Sequence, residues 1–205
     1  MTWTEKVSLR LAKQIKTEES PYSIGQLAHG IEIFLLNIIN GIALLVVSAL
    51  LQIILEVVLV TFLFFLYRII TGGVHLRNPW RCTFATLFLM NAGGYLLKHL
   101  PVIPSPYVHL LILAALSLAF VINYRYAPAK HTYAPDNPDV QKRNRIIVLF
   151  LVGISCVSSL ILVKYAYILI LANIIAVLTQ SALLLPGSFL LVSRLENFLE
   201  RVVEK

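Results

Sequence analysis

The chain has 205 residues, 59% of them hydrophobic and only 13% charged, with a formal net charge of +7. A water-soluble domain carries charge on about a quarter of its residues, so this composition excludes an ordinary soluble globule and predicts an integral membrane protein. The basic excess is not a nucleic-acid footprint, because Lys and Arg fall in separate clusters beside apolar runs, the pattern that orients membrane helices.

The N-terminus reads as a basic amphipathic helix over residues 1–20. Trp3, Val7, Leu11 and Ile15 share one helical face, while Lys6, Arg10, Lys13 and Lys16 lie mostly opposite. Such a helix suits the anionic inner leaflet of a bilayer. It lacks the apolar core of a secretory signal, so no cleaved leader is expected. From Ile31 to Tyr67 the chain is apolar with few interruptions. One helix of that length would run about 55 Å, against a hydrocarbon core of about 30 Å. The run must fold back, and Gln52 and Glu56 mark the turn.

Spans are therefore predicted near 31–51 and 54–70, then at 83–100, 107–124, 146–163 and 165–185. Asn91 and Gly93-Gly94 weaken the third. Pro101, Pro104 and Pro106 separate it from the fourth, since proline cannot continue the helical ladder. Beyond Pro186-Gly187, Leu191, Leu195, Phe198 and Val202 form an apolar stripe, a second amphipathic helix over 188–205. The expectation is one all-α integral membrane domain over 1–205. It has about six spans in a bundle over 31–185, with an amphipathic helix at each terminus.

Orientation follows from the basic residues. Segments 1–30, 68–82, 125–145 and 186–205 hold four, three, five and three Lys or Arg, while the alternate turns hold only Lys98 and Lys164. Fifteen against two predicts that both termini and the 68–82 segment are cytoplasmic.

That segment, "RIITGGVHLRNPWRC", ends a membrane-grade apolar run with an unusual concentration of reactive and permissive residues. Arg68 sits where its stem reaches the interface. Gly72-Gly73 permits a tight backbone or a close approach. His75 and Cys82 are seven residues apart, about 10.5 Å along an unbroken helix, too far for a thiol–imidazole bond. Asn78-Pro79 argues against an unbroken helix, and a break between Gly72 and Pro79 would let a ring nitrogen approach the sulfur to within about 4 Å. Imidazole and positive charge beside a thiol favour the reactive thiolate, and Arg68, Arg77 and Arg81 supply that charge. By spacing alone the plainer reading of the pair is an inert packed cysteine and a satisfied interfacial histidine.

The pattern of Arg68, Gly72-Gly73, His75 and Cys82 at the cytoplasmic end of a span resembles the signature of the AgrB (accessory gene regulator B) family. "HGIEIFLLNIING" before it and "YAPAKHTYAP" after it extend the likeness, whereas Leu76 and Thr86 depart from it. The resemblance implies a cysteine endopeptidase of the bacterial plasma membrane that processes a quorum-sensing propeptide of the AgrD type. Cys82 would be the nucleophile and His75 the general base. Arg68, Gly72 and Gly73 would shape the site. The acyl-enzyme would pass to a side chain within the precursor, closing a thiolactone or lactone. This chemistry calls for no metal and no organic cofactor, and a homodimer is left open.

Glu32 and Asn78 are rival candidates to orient the imidazole, although carboxylates at helix starts ordinarily serve the helix itself. Cys156, between Ser155 and Ser158 in an apolar run, reads as packing. His131, Asp136 and Asp139 lie in a Pro-rich loop without metal-ligand spacing. The competing reading is a non-catalytic peptide transporter or peptide-binding scaffold. Against it, no span carries the paired interior charges of an ion pathway.

Overall fold

The computed structural model describes residues 2–17, 20–76, 78–129 and 137–203. Arg77, His131 and Asp136 lie outside the described residues. Those described form eight α-helices and no strand: α1 (Trp3–Ile15), α2 (Ile24–Leu50), α3 (Ile54–Thr71), α4 (Pro79–His99), α5 (Ser105–Tyr126), α6 (Pro138–Leu162), α7 (Tyr167–Ala182) and α8 (Pro186–Val203).

Local chemistry explains the helix starts. Thr2 with Glu5, and Ser23 with Gln26, form capping boxes that satisfy the first free N–H groups of α1 and α2. Asn78-Pro79 and Asn137-Pro138 open α4 and α6 alike. The asparagine side chain accepts backbone N–H bonds, and proline occupies a position where its missing N–H costs nothing. The fold-back near Gln52 is a short turn with Gln52 in the left-handed region at φ 57°.

Four helices, α2, α3, α5 and α6, are each long and apolar enough to cross a membrane, consistent with a multi-pass membrane protein. α7 and α8, bent by 69° across a short break, would make a fifth if they count as one span. The expected count of six is not confirmed: by length and composition the described residues hold four or five candidate spans. α7 has 16 residues, about 24 Å of helix against a core of about 30 Å. α4 carries Arg81, Asn91, two glycines and Lys98.

The glycines of α4 have a packing reason. A Cβ on Gly94 would overlap Val57, whose backbone nitrogen lies only 2.9 Å from that position, and one on Gly93 would press Val60 and Ile175 at 3.1 and 3.3 Å. α4 therefore lies close against α3 and α7.

α7 is the centre of the bundle. It packs against α3, α4 and α5, and it is buried on most of its circumference. Its polar residues key it to its neighbours. Tyr67 donates to Asn173 Oδ1 at 3.0 Å, Asn173 Nδ2 donates to Ser155 at 2.6 Å, and Asn123 Nδ2 donates to Ser181 at 2.8 Å.

α1 packs on α2 through a small-residue face, Thr4, Ser8 and Ala12, all buried. Its apolar stripe is thereby left outward, with Trp3 at 65% exposure. α8 also turns Leu191, Leu195 and Phe198 outward; the side chain of Val202 lies outside the described residues.

Candidate functional site

The helix that would have kept His75 and Cys82 apart is interrupted. α3 ends at Thr71, residues 72–76 are non-helical, and α4 starts at Pro79, so Cys82 lies in its first turn. The interruption is built from two positive-φ glycines, Gly72 at 65° and Gly73 at 132°, a region that side chains with a Cβ rarely adopt.

Arg68 is the hub of the segment. Its Nη2 donates to the Val74 carbonyl and lies 3.2 Å from His75 Nε2. Because guanidinium only donates, Nε2 is the acceptor, and a neutral His75 carries its proton on Nδ1. The Phe64 ring lies 6.0 Å beneath the guanidinium carbon, and Cys82 lies in the first turn of the helix on the far side of the break. A Cβ on Gly73 would overlap Arg68 Nη1 and come within 3.3 Å of the Leu183 carbonyl oxygen. The glycine thus makes room for the arginine. His75 is exposed, and Cys82 is half-buried.

The loop is pinned from distant parts of the chain. Val74 N donates to the Leu183 carbonyl at 3.2 Å, and Ala129 N to the Thr71 carbonyl at 2.8 Å. Gln180 of α7 donates from Nε2 to Thr71 Oγ1 at 2.6 Å and to the Gly72 carbonyl at 2.7 Å, and its Oε1 faces Arg68 Nη1 at 3.5 Å. Sequence reasoning singles out neither Gln180 nor Thr71. The one signal available is an amide inside an apolar helix, where an unpartnered polar group is costly.

The two candidates for orienting the imidazole are occupied elsewhere. Asn78 Oδ1 accepts from Trp80 N at 2.9 Å and Arg81 N at 3.4 Å as the cap of α4. Glu32 accepts from Thr4 Oγ1 at 3.0 Å and, with Glu5, Ser8 and His29, lines a cleft of about 210 Å³ between α1 and α2. Cys156 packs partly against the core. Asp139 lies in the first turn of α6, beside its cap. Among the described residues no group of three or more His, Cys, Asp or Glu is arranged to hold a metal.

The architecture is that of an all-helical multi-pass membrane protein with a cysteine, a histidine and an arginine gathered at one broken helix. The accessory gene regulator B family matches residues 4–184, and the chain belongs to it. A protein of Clostridium acetobutylicum named as AgrB-like is 31% identical over 124 residues, 60% of this chain and 56% of the relative. The match thus spans little more than half of that relative's length. No solved structure matches.

Proposed function

We propose that the protein is a membrane cysteine endopeptidase that cleaves an AgrD-type propeptide and supports its cyclisation. The observation that carries this reading is Arg68, which lies 3.2 Å from His75 at a helix break whose far side opens on Cys82. In this reading the thiol proton passes to His75 Nε2 as substrate enters and the two side chains close to within about 4 Å. The ring is then cationic and repels Arg68, which turns its donors to the sulfur anion. Cys82 Sγ attacks the scissile carbonyl and the C–N bond breaks. His75 returns its proton to the departing amine, and a thioester remains. An internal thiol or hydroxyl of the precursor attacks that thioester, closing the ring and releasing Cys82.

A thioester suits this sequence because it keeps much of the driving force needed to form a thiolactone. The pocket must also delay water, which a site at the edge of the bilayer helps to do. The positive-inside balance supports a cytoplasmic face for the site and both termini. There α1 and α8 lie on the anionic leaflet by their outward apolar faces. The reading treats 1–205 as one membrane domain and leaves a homodimer open.

Purified protein in lipid vesicles, incubated with the cognate propeptide, tests the proposal. Cys82→Ala is expected to abolish both cleavage and ring formation, and His75→Ala to lower both severely. Cleavage by Cys82→Ala at the wild-type rate would overturn the assignment.

A further inference from the structure

We infer that Gln180, on the central helix α7, is the positioning residue that holds Arg68 beside His75 and Cys82. The inference rests on the reading of Cys82 as nucleophile and adds to it a residue 112 positions away from Arg68 in the chain.

The carboxamide of Gln180 is 1% exposed, and its surroundings determine which way it points. The Gly72 carbonyl can only accept, so the atom 2.7 Å from it must be the NH₂ group. Thr71 Oγ1 spends its own proton on the Tyr67 carbonyl at 2.9 Å, which leaves it an acceptor for the same group at 2.6 Å. Oε1 therefore faces the guanidinium. A flipped amide would set oxygen against oxygen at Gly72 and NH₂ against Arg68, and both contacts would be repulsive.

Gln180 consequently acts on Arg68 by two routes. The direct one is the 3.5 Å approach of Oε1 to Nη1, long for a hydrogen bond but favourable as a dipole on a cation. The second runs through the backbone. By holding the Gly72 carbonyl, Gln180 fixes the turn that places Gly73, whose missing Cβ leaves the space that Nη1 occupies. The charged groups available to Cys82 from neighbouring elements are few. α7 contributes none, α3 contributes Arg68 near this end, and α2 carries only His29 and Glu32, the latter bonded to Thr4. His75 lies in the connecting loop and Arg81 on α4 itself. Among the described charged groups, Arg68 is the one that Gln180 contacts.

The experiment measures iodoacetamide alkylation of Cys82 against pH, on full-length protein in lipid vesicles and in a Cys156→Ser background. Gln180→Met keeps the volume and removes the amide. Its alkylation midpoint is expected to rise by about half a pH unit, a roughly threefold fall in rate below the midpoint, because a displaced cation stabilises the thiolate less. Arg68→Gln is expected to raise the midpoint at least as far, and adding Gln180→Met to it should change nothing more. Asn173→Leu, which removes a buried amide from the same helix without touching Arg68, should leave the midpoint unchanged. If Gln180→Met does not insert, Gln180→Glu is read instead and should shift the midpoint in the same direction, since its carboxylate offsets the guanidinium. The inference is overturned by an unmoved midpoint in the Gln180 variant, by an equal shift in the Arg68→Gln background, by an unmoved midpoint in Arg68→Gln, or by a matching shift in Asn173→Leu. Failure of the nucleophile assignment looks different, because there Cys82→Ala still cleaves propeptide whatever the midpoints do.

Discussion

Gly73 shows how one missing methyl group organises the site. At φ 132° any side chain is strained, and the space a Cβ would take is filled by Arg68 Nη1. Gly73→Ala therefore costs about 1–3 kcal/mol in local strain and pushes the guanidinium off His75. A misplacement of this kind is expected to lower propeptide cleavage about a hundredfold while the protein still inserts; initial rates normalised to inserted protein check it, and a rate within about twofold of wild type would refute the role given to Gly73. The nucleophile makes its own prediction. A propeptide whose internal Cys or Ser is replaced by Ala should acylate Cys82 and accumulate as an adduct, seen by intact mass and released by hydroxylamine. Absence of any adduct, with cleavage intact, would argue for direct hydrolysis without an acyl-enzyme. Most of this cluster is legible in the sequence, because Arg68, Gly72, Gly73, His75 and Cys82 crowd into one short segment whose glycines and Asn-Pro announce a break. Gln180 is not legible there. Its partners lie more than a hundred positions away, and no local pattern marks an amide whose function depends on which helix it faces.

The helices differ in how faithfully their composition reports their place. α2, α3, α5 and α6 are long and apolar enough to cross a membrane, and so they are found by hydropathy alone. α4 is less apolar, and its two glycines lie against Val57, Val60 and Ile175. Gly94→Leu should overpack this crossing by about 1–3 kcal/mol and lower Tm by about 2–12 °C. Gly41→Ala, where no atom lies within 4 Å of the added carbon, should leave Tm unchanged or raise it. Thermal unfolding in one detergent compares the two, and an undiminished Tm for Gly94→Leu would contradict the close α3–α4 crossing. α1 makes a related point. Its amphipathic stripe is plain in the sequence, yet the face that docks on α2 is the inconspicuous one of Thr4, Ser8 and Ala12, because a small-residue face lets two helices approach closely.

Taken as one molecule, the chain separates into two ends. Arg68, Val74, Ala129 and Leu183 meet at one, while Lys98 bonds the Gln52 carbonyl and Tyr167 receives Ile103 N at the other. The basic clusters proposed to be cytoplasmic include the first of these ends, and Lys98 and Lys164 fall at the other. Single cysteines replacing Leu76, Gln52 and Ser105, in a background without Cys82 and Cys156, should therefore divide under an impermeant maleimide. Leu76→Cys is expected to label only from the cytoplasmic side, and Gln52→Cys and Ser105→Cys only from outside. Labelling of Leu76→Cys from outside would deprive the protease reading of its intracellular substrate. Composition and charge pattern alone determined that the chain is helical and membrane-embedded, because the transfer of apolar side chains and backbone into lipid depends on local composition and length. The break at 72–78 was equally local, resting on glycine, asparagine and proline. Only the tertiary structure decided that α7 is the buried centre of the bundle, that α4 crosses closely on α3, and that Arg68 is shared between His75 and Gln180. Those outcomes depend on which buried polar groups find partners across the bundle, and a partner in another helix leaves no periodic trace in the chain that carries it.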